Sequence, residues 1–353
     1  MGKKIGISSY IIDNIYIISS SGVVGPKEKD GPLGKYFDYS YDKLLVNSKS
    51  FEKSEIELHK KAIDIAINKA NINIDKIDIG YCGDLTNQIA VSSYMMRNIS
   101  IPYIGIFAAC STLTLGLINA AFFLSSFGNY ALVSTSSHNC TAERQFRYPN
   151  EYGAQRANTF TTTVTGAGAF VLANEIYDNY LNNNKVKLKI TKVTVGKVVD
   201  GGINDSQDMG RAMAPACYHT IKTHLADFNM NVDDYDKIIT GDLSFYGSKL
   251  LIDLFMLDNI DIRNVHEDTG MLIYDRNKQT VLSGGSGPGC IAAVLGGYII
   301  KKMLNLEYNK ILLCATGALM NTTILSQKET IPGICHAVTI ETVQNKIGDE
   351  ENW

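Results

Sequence analysis

The sequence predicts a layered α/β fold built from two copies of one unit. The stretch "NIDKIDIGYCGDLTNQ" (73–88) returns as "VDDYDKIITGDLSFYGS" (232–248): an acidic turn, a short apolar strand, then Gly-Asp-Leu-Thr/Ser. Further on, "CSTLTLGLINAAFFLSSFGNYALVSTSS" from 110 matches "CIAAVLGGYIIKKMLNLEYNKILLCATG" from 290. Cys110 falls on Cys290, Gly116 on Gly296 and Asn129 on Asn309, at a constant offset of 180. A third observation is the absence of any Asp, Glu, Lys or Arg between Arg97 and Glu143. Near-continuous apolar runs belong to strands and helices covered on both faces. Five layers are expected, helix, sheet, helix, sheet, helix, with the helices that start at Cys110 and Cys290 as the central pair.

The elements follow in chain order. The opening "MGKKIGISSYIIDN" has two lysines, but Asp13 cuts short any apolar core, so no signal peptide is predicted. It also lacks the Ser or Thr of a myristoylation signal. Residues 51 to 71 read as a helix, with Ile56, Ala62, Ile63, Ala66, Ile67 and Ala70 on one face and Glu57, Lys60, Asp64 and Lys69 off it. The uncharged stretch is broken by Pro102, Gly105, the Cys110–Ser111–Thr112 corner, Gly116, Gly128 and Asn129. It therefore reads as strand, buried helix and strand, and not as a membrane span, which needs about 20 continuous apolar residues. "VTGAGAFVLAN" (164–174) closes the first half and "GICHAVTIE" (333–341) the second. The polar, Asn-rich segment 175–187 reads as the connector, which divides the chain into halves 1–180 and 181–353.

Composition excludes several classes. The 353 residues are 45% hydrophobic and 20% charged, with a net charge of -3, so nothing draws the chain to nucleic acid or anionic lipid. The seven cysteines lie far apart, at 82, 110, 140, 217, 290, 314 and 335, without a CxxC or CxxH pair. No zinc site and no cofactor are predicted; reduced, mostly buried thiols of an intracellular protein are.

The candidate site centres on "FAACSTLTLG" (107–116). A cysteine at a helix N-terminus is the usual arrangement for a thiolate nucleophile, because the helix dipole and free N–H groups stabilise negative charge. "SSHNCTAERQFR" (136–147) follows a core strand at its C-terminal end, where α/β folds place ligands. It supplies Ser136, Ser137, His138, Arg144 and Arg147. Gly284, Gly285 and Ser286 offer a second set of backbone amides, and Thr165 sits in the glycine-rich closing strand. Asp84 and Asp242 stand at equivalent strand ends and serve either as turn caps or as pocket groups. Cys290 is expected to pack, His336 to be structural, and His59, His219 and His224 to lie on helix surfaces, while His266 stands near a turn.

A duplicated α/β half with a cysteine opening a buried central helix resembles the thiolase superfamily, which includes the β-ketoacyl synthases. "VTGAGAFVL" resembles their glycine-rich closing strand, and "GGSGPGCIAAVLGG" sits where their second glycine-rich turn lies. A narrower similarity is carried by "GPKEKDGPLGKYFD" (25–38), "STSSHNCTAERQFRYPNEYGAQ" (134–155), "TTVTGAGA" (162–169), "DMGRAMAPA" (208–216), "GDLSFYGS" and "QKETIPGICHAV" (327–338). These resemble the stage V sporulation AD family of spore-forming bacteria, and they cover nearly the whole chain. The resemblance implies a non-enzymatic role: binding dipicolinic acid and loading it, with calcium, into the developing spore. It also implies work alongside other SpoVA membrane proteins, peripherally at the inner spore membrane of the forespore, and a homodimer through "IPYIGIF" (101–107).

The chemistry of the residues points the same way. Condensing enzymes of the superfamily need a His after the second-half strand and an Asn or His in the later glycine-rich turn. Here Gly241, Asp242 and Leu243 occupy the first place, and "SGGSGPGC" holds neither Asn nor His. Without these partners condensation loses several orders of magnitude in rate. The alternative is an active acyltransferase that uses Cys110 with His138 as its base. Dipicolinate is a flat dianion and calls for helix amides, Arg or Lys, hydroxyls and a flat wall. The expected ligand-binding set is Cys110, Ser136, Ser137, His138, Arg144, Arg147, Thr165, Asp242, Gly285 and Ser286, with no metal.

Overall fold

A computed structural model describes residues 2–147, 155–174 and 186–344. The duplication shows in single hydrogen bonds. Asp78 Oδ2 accepts from the N–H groups of Asn129 (2.6 Å) and Tyr130 (2.9 Å). Asp236 Oδ2 accepts from those of Asn309 (2.6 Å) and Lys310 (2.9 Å). The same acidic turn ties down the start of the same strand in both halves.

The first half holds β1 (Ser9–Val24), β2 (Ile79–Gly83), β3 (Tyr103–Gly105), β4 (Tyr130–Ser137) and β5 (Gly166–Ala173). The second holds β6 (Val186–Thr194), β7 (Lys237–Gly241), β8 (His266–Asp268), β9 (Lys310–Ala318) and β10 (Gly333–Gln344). Their orders are β1-β5-β4-β2-β3 and β6-β10-β9-β7-β8. In each half the first two pairings are antiparallel and the last two parallel. Antiparallel pairing of β1 with β6, from Ser9↔Thr194 to Ile17↔Leu188, joins the halves edge to edge. The boundary expected at residue 180 lies outside the described residues; β6 opens the second half at Val186.

The helices are α1 (Phe51–Ala70), α2 (Ala90–Met96), α3 (Thr112–Leu124), α4 (Asn139–Arg147), α5 (Met209–Phe228), α6 (Ser244–Leu257) and α7 (Pro288–Val294). The last continues through a π-helical stretch, Leu295–Ile299, into Ile300–Leu304. Helix α1 covers β1, β5 and β4 from outside, and α5 covers β10 and β9, with α6 packed beside it. Between the sheets, α3 touches β4 on one side and β9 and β10 on the other, while α7 touches β5 and β4 as well as β7. These are the five layers expected from the duplication.

Local chemistry explains the element ends. Ser50 Oγ accepts from the Lys53 N–H to cap α1, and Asn71 ends it in the left-handed conformation at φ 52°. The face with Leu58, Ala62, Ile63, Ala66 and Ala70 is buried. In the middle layer α3 buries Leu113, Leu117, Ile118, Ala120, Ala121 and Leu124 on several sides at once, which accounts for the long uncharged stretch. Each large side chain buried there contributes roughly 1.5–3 kcal/mol. Gly296 lets α7 lie on β1: a Cβ there would come within 2.2 Å of the Ser21 carbonyl oxygen.

Two expectations are corrected here. The central helices do not both start at their cysteines. Pro288 opens α7 two residues before Cys290, whereas Ala109, at φ 49°, turns the chain so that α3 starts at Thr112, after Cys110. His59 and His224 are buried, not surface residues. Strand hydroxyls face both helices: His59 Nε2 pairs with Ser134 Oγ at 2.8 Å, and His224 Nδ1 with Thr194 Oγ1 at 2.8 Å. Burial pushes both rings down to about 3, so they stay neutral.

None of the seven cysteines forms a disulfide. Among the described residues no helix is long and apolar enough to cross a membrane.

Candidate functional site

The Cys110 corner is locked from within. Ser111 Oγ donates to the Ala108 carbonyl (2.8 Å), and Thr112 Oγ1 donates to that of Ala109 (2.6 Å) while accepting the Ala108 N–H (3.0 Å). This holds Cys110 at the floor of a cavity between the halves. Leu85, Phe107, Ala109, Phe146, Arg147 and Thr163 line it from the first half, and Met209, Ser286, Ala318 and Met320 from the second. Its room for water-sized contents is about 30 Å³, within about 420 Å³ of unfilled space that includes open solvent. The space widens into a mouth formed by Thr86, Asn87, Gln88, Ile89, Gln145, Leu319 and Asn321.

Behind Cys110 stands Asp242, fully buried and in the left-handed conformation at φ 71°. Among the described residues neither of its carboxyl oxygens has a partner in hydrogen-bonding geometry. The groups that bear on it are the Cys110 and Cys290 thiols and the Gly287 N–H. Burial, and then the neighbouring Asp268, push its pKa well above the usual carboxylate range. Burial, with Asp242 second, does the same to the Cys110 thiol, against a smaller opposing pull from Gly287 N–H. Thiol and carboxyl are thus both held in their neutral, protonated forms. His266 is no base for Cys110: its Nε2 pairs with Thr240 Oγ1 at 2.8 Å, and burial pushes it down to about 4.

Arg147 is the cation of the cavity wall. Its side chain is 7% exposed, and Nη1 donates to Glu143 Oε1 at 2.6 Å. The guanidinium lies 4.0 Å over the Phe160 ring. Among the described residues its buried Nε has no partner. Burial lowers its pKa and Glu143 opposes that shift, so the group stays charged.

The structure brings only part of the expected set together. Cys110, Arg147 and Ser286 line the cavity and Asp242 lies directly behind Cys110. Ser137 is beside the second glycine-rich turn, accepting the Gly289 N–H at 3.2 Å and donating to the Val164 carbonyl at 2.7 Å. Gly285 offers its carbonyl to Ser244 Oγ at 2.7 Å. Thr165 is tied to Glu28 and Asn139. Three residues lie on the outer side. Ser136 donates to Glu55 Oε1 at 3.0 Å, His138 Nε2 pairs with the Leu44 carbonyl at 3.0 Å, and Arg144 pairs with Glu52. Alternation along β4 sends Ser137 inward and Ser136 outward, and α4 then carries Arg144 and Arg147 to different neighbours. His138, expected as the base of an acyltransferase, is therefore turned away from Cys110.

Sequence reasoning missed the apolar lining of the second half, Met209, Ala318 and Met320. Met209 lies within "DMGRAMAPA", which stands out in the sequence only as a family motif. Phe160 and Arg156 were missed too, since nothing local to "ANTF" marks them. Among the described residues no cluster of three or more His, Cys, Asp or Glu could hold a metal ion.

The family described as Stage V sporulation protein AD (SpoVAD) matches residues 7–341. The chain belongs to that family. Stage V sporulation protein AD of Bacillus subtilis (strain 168) is 44% identical over 341 residues, covering 96% of this chain and 98% of the relative. Among solved structures, Xanthomonas campestris OleA aligns over 94% of this chain and 99% of its own, at TM-score 0.60 and 15% identity. Its cerulenin-bound form aligns over 94% and 98%, at TM-score 0.63 and 14% identity. At that identity the likeness speaks to the fold, which is the thiolase-like one.

Proposed function

We propose that this family member binds dipicolinate in the Cys110 cavity without turning it over, and serves its loading, with calcium, into the developing spore. One observation carries the reading: a rigidly held buried arginine on the cavity wall keeps a free donor, Arg147 Nε, beside a thiol and a carboxyl that are both neutral. A site with a cation and no active nucleophile or base suits holding an anion better than acyl transfer. Phe107 and Phe146 supply flat walls for an aromatic ring. The neutral Asp242 does not repel a carboxylate. Isothermal titration with dipicolinate, against benzoate as control, is the test. Selective heat that disappears in Arg147→Ala is expected, and no selective heat would sink the idea.

The acyltransferase reading retains one observation, the Gly287 N–H beside Cys110, a donor of the oxyanion-stabilising kind. Intact-mass measurement after incubation with acyl-CoA separates the two readings. No adduct is expected; one that is lost in Cys110→Ala would favour the enzyme.

Partners follow the same reading. Other SpoVA membrane proteins would hold the chain peripherally at the inner spore membrane. A second copy would pair along β3, the open edge of the first sheet, where Ile104 and Phe107 are about half exposed. A monomeric mass at micromolar concentration would count against the homodimer.

A further inference from the structure

Arg147 does not stand alone. Arg156 lies 4.4 Å over the same Phe160 ring, and its Nη2 donates to Glu143 Oε2 at 3.2 Å. Glu143 thus spends one oxygen on each arginine, Oε1 on Arg147 at 2.6 Å and Oε2 on Arg156. The two cations are held unequally. Arg147 is 7% exposed with the shorter bond, whereas Arg156 is 51% exposed with the longer one. Among the described residues, two guanidinium groups and one carboxylate surround this buried ring, and of the three Arg147 lines the cavity.

Resting on the reading that the cavity holds an aromatic carboxylate, we propose that Arg156 is its specificity-determining residue: it exchanges Glu143 for the second carboxylate of the ligand, so that the site selects a rigid dicarboxylate over a monocarboxylate. The first carboxylate meets Arg147, whose Nε is free and whose position is fixed by Glu143 and Phe160. The second needs another planar donor pair. Arg156 is the nearby candidate, solvated enough to move and held by one exposed ion pair, which is weak, and by its contact with the Phe160 ring. Glu143 keeps Arg147 in place throughout, so the exchange costs only the weaker of its two bonds. A monocarboxylate has no use for Arg156.

The experiment measures the affinities of pyridine-2,6-dicarboxylate and pyridine-2-carboxylate by isothermal titration, and reads their ratio. A ratio cancels any general disturbance of Arg147. Arg156→Ala is expected to lower the dicarboxylate preference about tenfold while leaving the monocarboxylate within about twofold, the loss of one charge-assisted contact. Arg156→Lys restores part of the preference. Glu143→Gln raises it several-fold, because Arg156 no longer has to be drawn from an anion. An unchanged ratio in Arg156→Ala, or a lowered one in Glu143→Gln, overturns the proposal. Absence of heat from both ligands with the unaltered protein overturns the underlying reading instead. Circular dichroism of each variant shows that it is folded.

Discussion

The Gly-Asp-Leu corner occurs in both halves, and its two aspartates have opposite surroundings. Asp84 accepts the N–H groups of Thr86 and Ser92, each at 2.7 Å, and the Thr86 hydroxyl. Asp242, equally buried, has no partner in hydrogen-bonding geometry and lies against two thiols. The cysteines differ as well. Cys110 stands at a turn and lines the cavity, while its repeat mate Cys290 lies inside the first turn of α7 with no exposure. Duplication preserved the strand order in both halves. One copy keeps its aspartate as a turn cap, and the other holds it neutral beside the thiol.

That comparison can be broken or sharpened by experiment. The largest effect is expected from pH. Glu55, buried in the first half, is pushed up to about 8, by burial first and Asp84 second; Asp268, in the second half, is pushed up to about 6 by burial. Both folded values exceed the unfolded ones near 4. The stability these groups contribute is therefore complete below pH 4 and is lost as pH rises through 6 and then 8. Relative to Glu55→Gln, the unaltered protein should lose on the order of 3 kcal/mol of stability to denaturant between pH 5 and 8.5, a comparison that cancels the opposite trend of the buried His59, His224 and His266, which are neutral when folded. A difference between the two proteins that stays constant over this range would refute the assignment.

Next in size is the pair of aspartates. Asp84→Ala strands two amides and a hydroxyl and should cost about 2 kcal/mol in urea unfolding. Asp242→Ala removes a group with nothing to lose and should stay within about 1 kcal/mol of the unaltered protein. Equal costs would erase the distinction. Smallest is the effect on thiol reactivity. Asp242→Asn exchanges one neutral group for another and should change the alkylation of Cys110 by iodoacetamide at pH 8 by no more than about twofold; a tenfold gain would show that Asp242 is charged. Cys290 should remain unmodified throughout; equal labelling of the two would show that they share one environment.

The fold was largely legible because duplication and polarity are written in the chain. Matching Asn129 with Asn309 and Gly116 with Gly296 predicted two equivalent sheets and two buried helices, and the uncharged run predicted that α3 lies between layers. The site was less legible. Ser136, Ser137 and His138 follow one another in sequence, but strand alternation and the turn into α4 send them to different sides. The histidines misled because a buried polar ring can be satisfied by strand hydroxyls that are distant in sequence, as Ser134 does for His59 and Thr194 for His224.

By itself the sequence determined the repeat, the layer order and a buried cysteine beside a central helix. These depend on residue type and spacing along one strand or helix. Only the tertiary structure decided that Asp242 meets Cys110, that Met209 and Met320 close the cavity from the second half, and that Glu143 joins Arg147 to Arg156. Those contacts bring together side chains from different elements, and burial then sets which of them carry charge.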